Sequence, residues 1–204
     1  MVTTNQVIAA ELGKQEVIPL YHELYSQYAP DFVSENRQII KAINMVAGHV
    51  ENRGIWVIDR GGDRDKLYNC LLDKRNKKRF VIRLVGNRNL LYKNKESLAI
   101  KLAYKCKMSY SETVIKEEKG EEKIFHISYG YMPVKLPDFD DQLYMLVVTG
   151  FGEKPMMLLT TELLRSNRKV LYRRLGYYMK RWSIEETIRF SIQTYDLDNI
   201  WVLN

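Results

Sequence analysis

The stretch Gly54-Ile55-Trp56-Val57-Ile58-Asp59-Arg60-Gly61-Gly62-Asp63 decides the fold that we predict. Its first half is a short, continuously apolar run, which is typical of a strand covered on both faces, and the run stops at Asp59. The two glycines then make a tight turn into a helix over about 64–72, and Arg79–Leu84 is a second apolar strand. Strand, helix and strand in this order predict an α/β core.

The segments on either side extend this core. Upstream, β-branched residues and a Gly-Lys turn predict a hairpin over about 2–20, and Ser34 caps an amphipathic helix that ends near residue 53. Downstream, alternating segments separated by Gly and Pro predict a mostly antiparallel, β-rich insertion, and a long helix without Pro covers about 167–195. We therefore assign 1–84 and 166–204 to the core and 85–165 to the insertion.

Composition excludes several classes of protein. The 204 residues are 46% hydrophobic and 28% charged, which is ordinary for a globular chain and unlike a disordered, collagen-like or disulfide-rich one. The sequence lacks the roughly 18 consecutive apolar residues of a membrane helix and starts without a signal peptide, so we expect a cytoplasmic protein that does not enter a membrane. Cys70 and Cys106 stand far apart, which predicts reduced, packed thiols.

The charge of the chain favours a polyanionic partner. Thirty-two Lys and Arg residues against twenty-five Asp and Glu give +7, with a pI near 9.2. Twelve basic residues lie between Lys74 and Lys107 against one acidic residue, and a second basic stretch runs from Arg165 to Arg181. Solvated surface charge could explain either stretch alone, but two such stretches on either side of candidate carboxylates favour phosphate binding, with Arg60, Lys77 and Lys78 among the contacts.

Two carboxylates could carry chemistry. On the last helix Glu185 continues a stripe formed by Leu171, Leu175, Tyr178 and Trp182, and a carboxylate on such a stripe needs a partner. Arg181, one turn earlier, could be that partner, and a bound cation is the alternative. Asp59 could likewise be a turn or cap residue, or a ligand at the carboxyl end of a buried strand. Carboxylates without nearby His or Cys suit Mg²⁺.

At these residues the sequence resembles a known family. The segment around Asp59, followed by the strand Arg79–Arg83, resembles the region of the second catalytic Asp in bacterial DDE transposases of the insertion-sequence-four type. The spacing of Tyr178, Arg181 and Glu185 is similar to that family's C-terminal signature, in which a Lys follows the Glu. The two motifs occur in the family's order, with a β-rich segment between them, and together they span most of the chain.

The resemblance implies a ribonuclease-H-like catalytic core that uses two Mg²⁺ ions to cleave transposon ends and transfer the freed 3′ hydroxyl to target DNA. Asp59 and Glu185 would be two of the three metal-binding carboxylates. Tyr178 and Arg181, with the neighbouring Trp182, would contact and orient the end of the DNA. The implied partner is double-stranded DNA, which transposases of this kind engage as homodimers on paired ends.

The chain departs from the family pattern at two places. Ile192 occupies the position of the signature Lys, which leaves one phosphate contact in doubt. The first catalytic Asp is absent from this chain, because Asp31 lies in a Pro-containing loop and no other residue before Asp59 fits. We therefore expect the chain to be truncated at both ends, to lack the first core strand and to have negligible strand-transfer activity alone.

Two other functions remain open. A catalytically inactive remnant could still bind DNA or pair with full-length transposase, and the presence or absence of a third carboxylate would decide between this and an active enzyme. A nuclease unrelated to transposition could share the core, although the Tyr, Arg and Glu spacing belongs to the transposase pattern.

Overall fold

The structure, a computed structural model, describes residues 2–14, 16–51, 53–118 and 121–194. Within the elements, the side chains of residues 2, 117, 118, 121, 183 and 185–194 lie outside this description. The chain divides into two compact units, one formed by 1–54 and 176–204 and the other by 55–175. No helix in the described part of the chain combines the length and apolarity needed to span a membrane.

The first unit begins with the predicted hairpin. Strands β1 (Val2–Ala10) and β2 (Val17–Ser26) pair antiparallel, and their register shifts between Val7 and Ile8. The shift leaves Leu20 without a residue opposite it, next to Pro19, which cannot donate a ladder hydrogen bond. The hairpin is longer than the sequence predicts, because β2 continues through a segment that alternates exposed and half-buried residues.

Helix α1 (Glu35–Val50) follows the hairpin, and Ser34 caps it as predicted. The Ser34 side chain accepts a hydrogen bond from the backbone N–H of Arg37, which satisfies one of the unpaired donors of the first turn. The helix ends at Glu51, which adopts the left-handed conformation (φ 50°). Its buried face is the stripe expected from helical spacing: Ala42, Ile43, Val46 and Ala47.

The second unit contains the strand-helix-strand core. Strand β3 (Trp56–Ile58), helix α2 (Asp65–Leu71) and strand β4 (Phe80–Arg83) follow in order, and β3 pairs parallel with β4. This confirms the predicted α/β arrangement. Burial of β3 on both faces is not observed, because all three of its residues are half-buried and the strand lies at the end of its sheet.

The remaining elements of this unit are mostly antiparallel strands. They are β5 (Asn89–Tyr92), β6 (Lys95–Leu98), α3 (Ala99–Lys105), β7 (Tyr110–Glu118), β8 (Glu121–Val134), β9 (Leu143–Thr149) and β10 (Met156–Thr160). The chain continues into the long helix α4 (Arg168–Thr194), as predicted. The sequence analysis missed α3, a helix of only two turns.

Within the described residues, six strands form one mixed sheet in the order β3-β4-β10-β9-β8-β7, and β5 and β6 form a separate hairpin. Strand β10 pairs antiparallel with β4, so this sheet joins strands from both sides of the boundary drawn between core and insertion. The core is dense: β10 is buried along its whole length, and so are Phe80, Val81 and Ile82 of β4. Cys106 is buried and Cys70 half-buried, and neither forms a disulfide, as predicted.

Candidate functional site

The candidate site is the turn that follows β3. Asp59 comes directly after Ile58, at the carboxyl end of a strand that pairs parallel with β4. The chain then forms a single 3₁₀ turn over Arg60–Gly62, in which the N–H of Gly62 donates to the carbonyl of Asp59 at 2.8 Å. Asp59 is half-buried and Arg60 is exposed. The carboxyl ends of parallel strands are where α/β sheets gather their ligands.

The two glycines of this turn have different roles. A Cβ atom on Gly62 would overlap the Ile58 side chain and lie 3.1 Å from Leu67 Cδ2. A Cβ atom on Gly61 would have nothing within 4 Å. At position 62 the turn therefore approaches Ile58, the last residue of β3, too closely for a side chain. Position 61 has room for a side chain, so packing does not require glycine there.

Asp63 fixes the far side of the turn. Its side chain has no exposed surface, and the carboxylate accepts hydrogen bonds from Tyr68 Oη at 2.9 Å, from Val85 N at 2.7 Å and from Arg88 Nε at 2.7 Å. The same guanidinium donates to the carbonyl of Asp63 and to Asp65 Oδ1. We call this set of residues, Asp63, Asp65, Tyr68, Val85 and Arg88, the turn lock.

Electrostatics keep the arginine of the turn lock charged. Burial alone would lower the pKa of Arg88, but the carboxylates of Asp63 and Asp65 raise it above its ordinary value. Burial and the adjacent Asp63 carboxylate raise the pKa of Tyr68, so its hydroxyl stays protonated and donates. Arg88 thus engages both Asp63, directly after the turn, and Asp65, the first residue of α2.

Sequence reasoning missed the turn lock. The sequence does not mark Asp63 or Asp65 as a buried partner, and Arg88 is one of the twelve basic residues between Lys74 and Lys107. Arg88 lies 25 residues after Asp63, on the loop between β4 and β5, so no local spacing connects the two. The nearest signal was the position of Asp63 after two glycines, where a side chain that closes the turn is often found.

The C-terminal motif lies on α4. Leu171, Leu175 and Tyr178 are fully buried, which confirms the predicted stripe over these residues, and Trp182 is half-buried. The guanidinium carbon of Arg181 lies 5.5 Å from the centre of the Tyr178 ring, a cation–π arrangement. Tyr178 thus offers no exposed surface to a ligand in this structure, whereas Arg181 and Trp182 are partly accessible.

Glu185 is the second predicted metal ligand. The backbone at this position is helical, within α4, but the side chain lies outside the described residues. The pairing of Asp59 with Glu185 and the pairing of Glu185 with Arg181 both stay predictions. The same holds for the side chain of Ile192.

Lys77 and Lys78 occupy opposite environments although they are neighbours. Lys77 is exposed, and its ammonium pairs with Asp141 Oδ1 at 2.5 Å. Lys78 is 3% exposed, and its ammonium donates to the carbonyl of Asn76 at 3.2 Å and to that of Cys70 at 3.5 Å. Since Cys70 lies in the last turn of α2, Lys78 serves as a positive charge at the C-terminal end of that helix. Only Lys77 presents its charge to solvent.

Two arginines of the basic stretches also act within the protein. Arg79 donates to both oxygens of Glu162, at 2.6 and 2.9 Å, and Arg174 Nη2 lies 2.9 Å from the second of these oxygens. The hydrogen bonds from Arg79, followed by the positive charge of Arg174, lower the pKa of Glu162. Counting basic residues therefore overestimates the charge that is available to a phosphate.

The potential metal-binding side chains of the described residues do not cluster. Nowhere among them do three or more His, Cys, Asp or Glu side chains come together as a potential metal centre. The resemblance implies Asp59 as a ligand, and its carboxylate is a hard oxygen ligand of the kind that Mg²⁺ prefers.

Comparison with known proteins leaves the family open: no protein-family model matches this chain, and a search of curated proteins finds no match either.

Proposed function

We propose that this chain is catalytic-domain sequence of a DDE transposase, with a ribonuclease-H-like core, whose function is metal-dependent cleavage and strand transfer at transposon ends. The observation that carries the proposal is the position of Asp59. It follows a strand that pairs parallel with its neighbour, and the turn after it is held in one conformation by Gly62 and by the turn lock. A ligand residue needs this kind of fixed support.

The remaining roles follow from the two sequence motifs. Asp59 and Glu185 would hold Mg²⁺, two ions in the complete site, and the metal would activate a water or a 3′ hydroxyl for in-line attack on a phosphodiester. Arg181 and Trp182 would contact the end of the DNA, and buried Tyr178 would support Arg181 through the contact of its ring with the guanidinium. Arg60 and Lys77, both exposed, would contact the phosphate backbone.

The metal assignment is tested by iron-directed cleavage of the protein itself. Fe²⁺ is added in place of Mg²⁺, with ascorbate and peroxide, and the radicals formed at the bound ion cut the nearby backbone. We expect cuts beside Asp59 and also beside Glu185, because the two carboxylates would bind the same ion. Excess Mg²⁺ should suppress both cuts. Mass spectrometry of the fragments locates each cut and does not require the chain to be active on DNA.

Asp59→Asn should abolish both cuts, since it removes the charged ligand that the ion needs. Asp73→Asn is the matched control, because Asp73 is also a turn aspartate but lies after α2. Cuts at only one of the two positions, or cuts that persist in Asp59→Asn, would refute the shared metal site.

DNA binding is tested by its salt dependence. The logarithm of the binding constant falls with the logarithm of salt concentration, with a slope set by the number of phosphates that are neutralised. Lys77→Ala should reduce that slope by about one, whereas Lys101→Ala, on the exposed surface of α3, should leave it unchanged. Fluorescence anisotropy with a labelled duplex measures both slopes, and equal slopes would remove Lys77 from the DNA-binding surface.

A further inference from the structure

Strand β7 lies at the outer edge of the six-stranded sheet, within the residues that the structure describes. It is nine residues long, contains no Pro, and keeps one continuous register with β8 from Tyr110 to Glu118. An edge strand points about half of its backbone N–H and C=O groups away from its neighbour. Proteins usually shield such an edge with short strands, bulges or Pro, because it can pair with another chain.

An apolar pair marks this edge. Ile115 and Ile124 lie directly opposite each other on β7 and β8, and they are 60% and 63% exposed. Thr113 and His126 form the next pair on the same face, with Thr113 Oγ1 3.2 Å from His126 Nδ1. The face at the edge is thus apolar at one position and polar at the adjacent one.

The sequence of β7 is complementary in charge to itself. If a second copy of β7 lies antiparallel with Val114 opposite Val114, then Glu112 of each copy lies opposite Lys116 of the other. Moving the register by one or two residues in one direction places Glu112 opposite Glu117 or Glu118. The same shifts in the other direction place it opposite Ile115 or Val114. Of these five registers, the one centred on Val114 is the one that forms opposite-charge pairs, and symmetry forms them twice.

We propose that β7 is a self-association surface, at which a second copy of this chain adds its β7 antiparallel and joins two six-stranded sheets into one. The inference does not depend on the proposed function. In this register Ile115 of each copy lies opposite Thr113 of the other, so the two exposed Ile115–Ile124 pairs become diagonal neighbours across the axis.

Glu112 can accept the additional partner. Its two oxygens accept hydrogen bonds from Arg168 Nε at 2.7 Å and from Arg168 Nη2 at 2.9 Å, while 20% of the side chain stays exposed. Oε1 also accepts from Tyr129 Oη at 3.3 Å, whereas Oε2 has a second lone pair, so it can accept from an ammonium group without displacing the guanidinium.

Sedimentation equilibrium of the purified chain over a range of concentrations tests the proposal. Wild type should form dimers. Lys116→Glu should weaken the dimer roughly tenfold or more, because it converts two attractive pairs into two repulsive ones. Lys101→Glu makes the same change of charge on the exposed surface of α3 and should dimerise like wild type.

Mixing two variants tests the register. Lys116→Glu alone opposes Glu to Glu, and Glu112→Lys alone opposes Lys to Lys, so each should be largely monomeric. An equimolar mixture should form a heterodimer in which both pairs are again of opposite charge. Circular dichroism spectra show that each variant is folded before mixing.

Three outcomes would overturn the proposal. Wild type could be monomeric at all concentrations tested, which would show that β7 does not bind a second copy of the chain. Lys116→Glu could dimerise as strongly as Lys101→Glu, which would place the interface elsewhere. Folded Lys116→Glu and Glu112→Lys could fail to associate when mixed, which would exclude this register.

Discussion

Two arginine–carboxylate pairs, one associated with each end of the six-stranded sheet, differ in burial. In the turn lock after β3, the Arg88 side chain is 17% exposed and that of Asp63 is fully buried. At the β7 end, the Arg168 side chain is 62% exposed and that of Glu112 is 20% exposed. Their bond lengths are the same, 2.7 Å, so geometry alone does not distinguish them. Burial does, because a desolvated charge must keep its partner whereas a solvated one can exchange it.

The largest expected effect is at the buried pair. Arg88→Met leaves the Asp63 carboxylate buried without its counter-charge, and it should lower the free energy of unfolding by about 3–5 kcal/mol. Arg168→Met is the matched control at the exposed pair and should cost about 0–1 kcal/mol. Urea denaturation measures both. Equal losses of unfolding free energy in the two variants would show that burial does not distinguish the two pairs.

A double variant sharpens this result. Asp63→Asn in the Arg88→Met background removes the uncompensated charge; the single amide oxygen can still accept from Val85 N, and the amide nitrogen can donate to Tyr68 Oη, which then acts as acceptor. It should recover part of the lost stability. No recovery would mean that the loss in Arg88→Met comes from the packing of the long side chain and not from the buried charge.

The next effect is at the glycines of the same turn. Gly62→Ala should lower the free energy of unfolding by about 1–3 kcal/mol, because the new methyl group overlaps the Ile58 side chain. Gly61→Ala has open space at the corresponding atom and should change stability by less than about 0.5 kcal/mol. Thermal or urea denaturation of both variants tests the difference. Similar costs would show that the turn accommodates a side chain at either position.

The sequence predicts where helices and strands lie better than it predicts which distant side chains bond to each other. Ser34 and the stripe that ends at Ala47 are enough to place α1, and the apolar run before Asp59 places β3, since both signals are local. The lock between Asp63 and Arg88 could not be predicted, because the 25 residues between them carry no periodicity that relates one to the other. The opposite environments of Lys77 and Lys78 depend on how the chain turns into β4, which composition does not encode.

The smallest effect is the pH dependence of the exposed pair. Hydrogen bonds from Arg168 lower the pKa of Glu112 below its ordinary value of 4.5. A carboxyl group whose pKa is lower in the folded state stabilises the protein above its unfolded pKa, and this contribution is lost as the pH falls through the folded pKa. Wild type should therefore melt slightly above Glu112→Gln at neutral pH, and the difference should disappear well below pH 4.5.

Melting temperatures measured across this pH range, at concentrations where the chain is monomeric, test the prediction. Glu96→Gln, on the exposed strand β6, controls for the loss of one negative charge. A difference between wild type and Glu112→Gln that persists in acid would show that the carboxylate charge is not what the pair contributes.

The order of strands in the sheet also has a consequence for synthesis on the ribosome. Strand β4 lies between β3, which precedes it, and β10, which begins about 70 residues later in the chain. At the usual rate of translation, about 5–20 residues per second, β4 has left the ribosome several seconds before its second neighbour exists. During that interval one edge of β4, a strongly apolar strand, lacks the strand that pairs with it in the folded protein. We therefore expect incorrect strand pairing at β4 to be a greater risk for the nascent chain than for the folded protein.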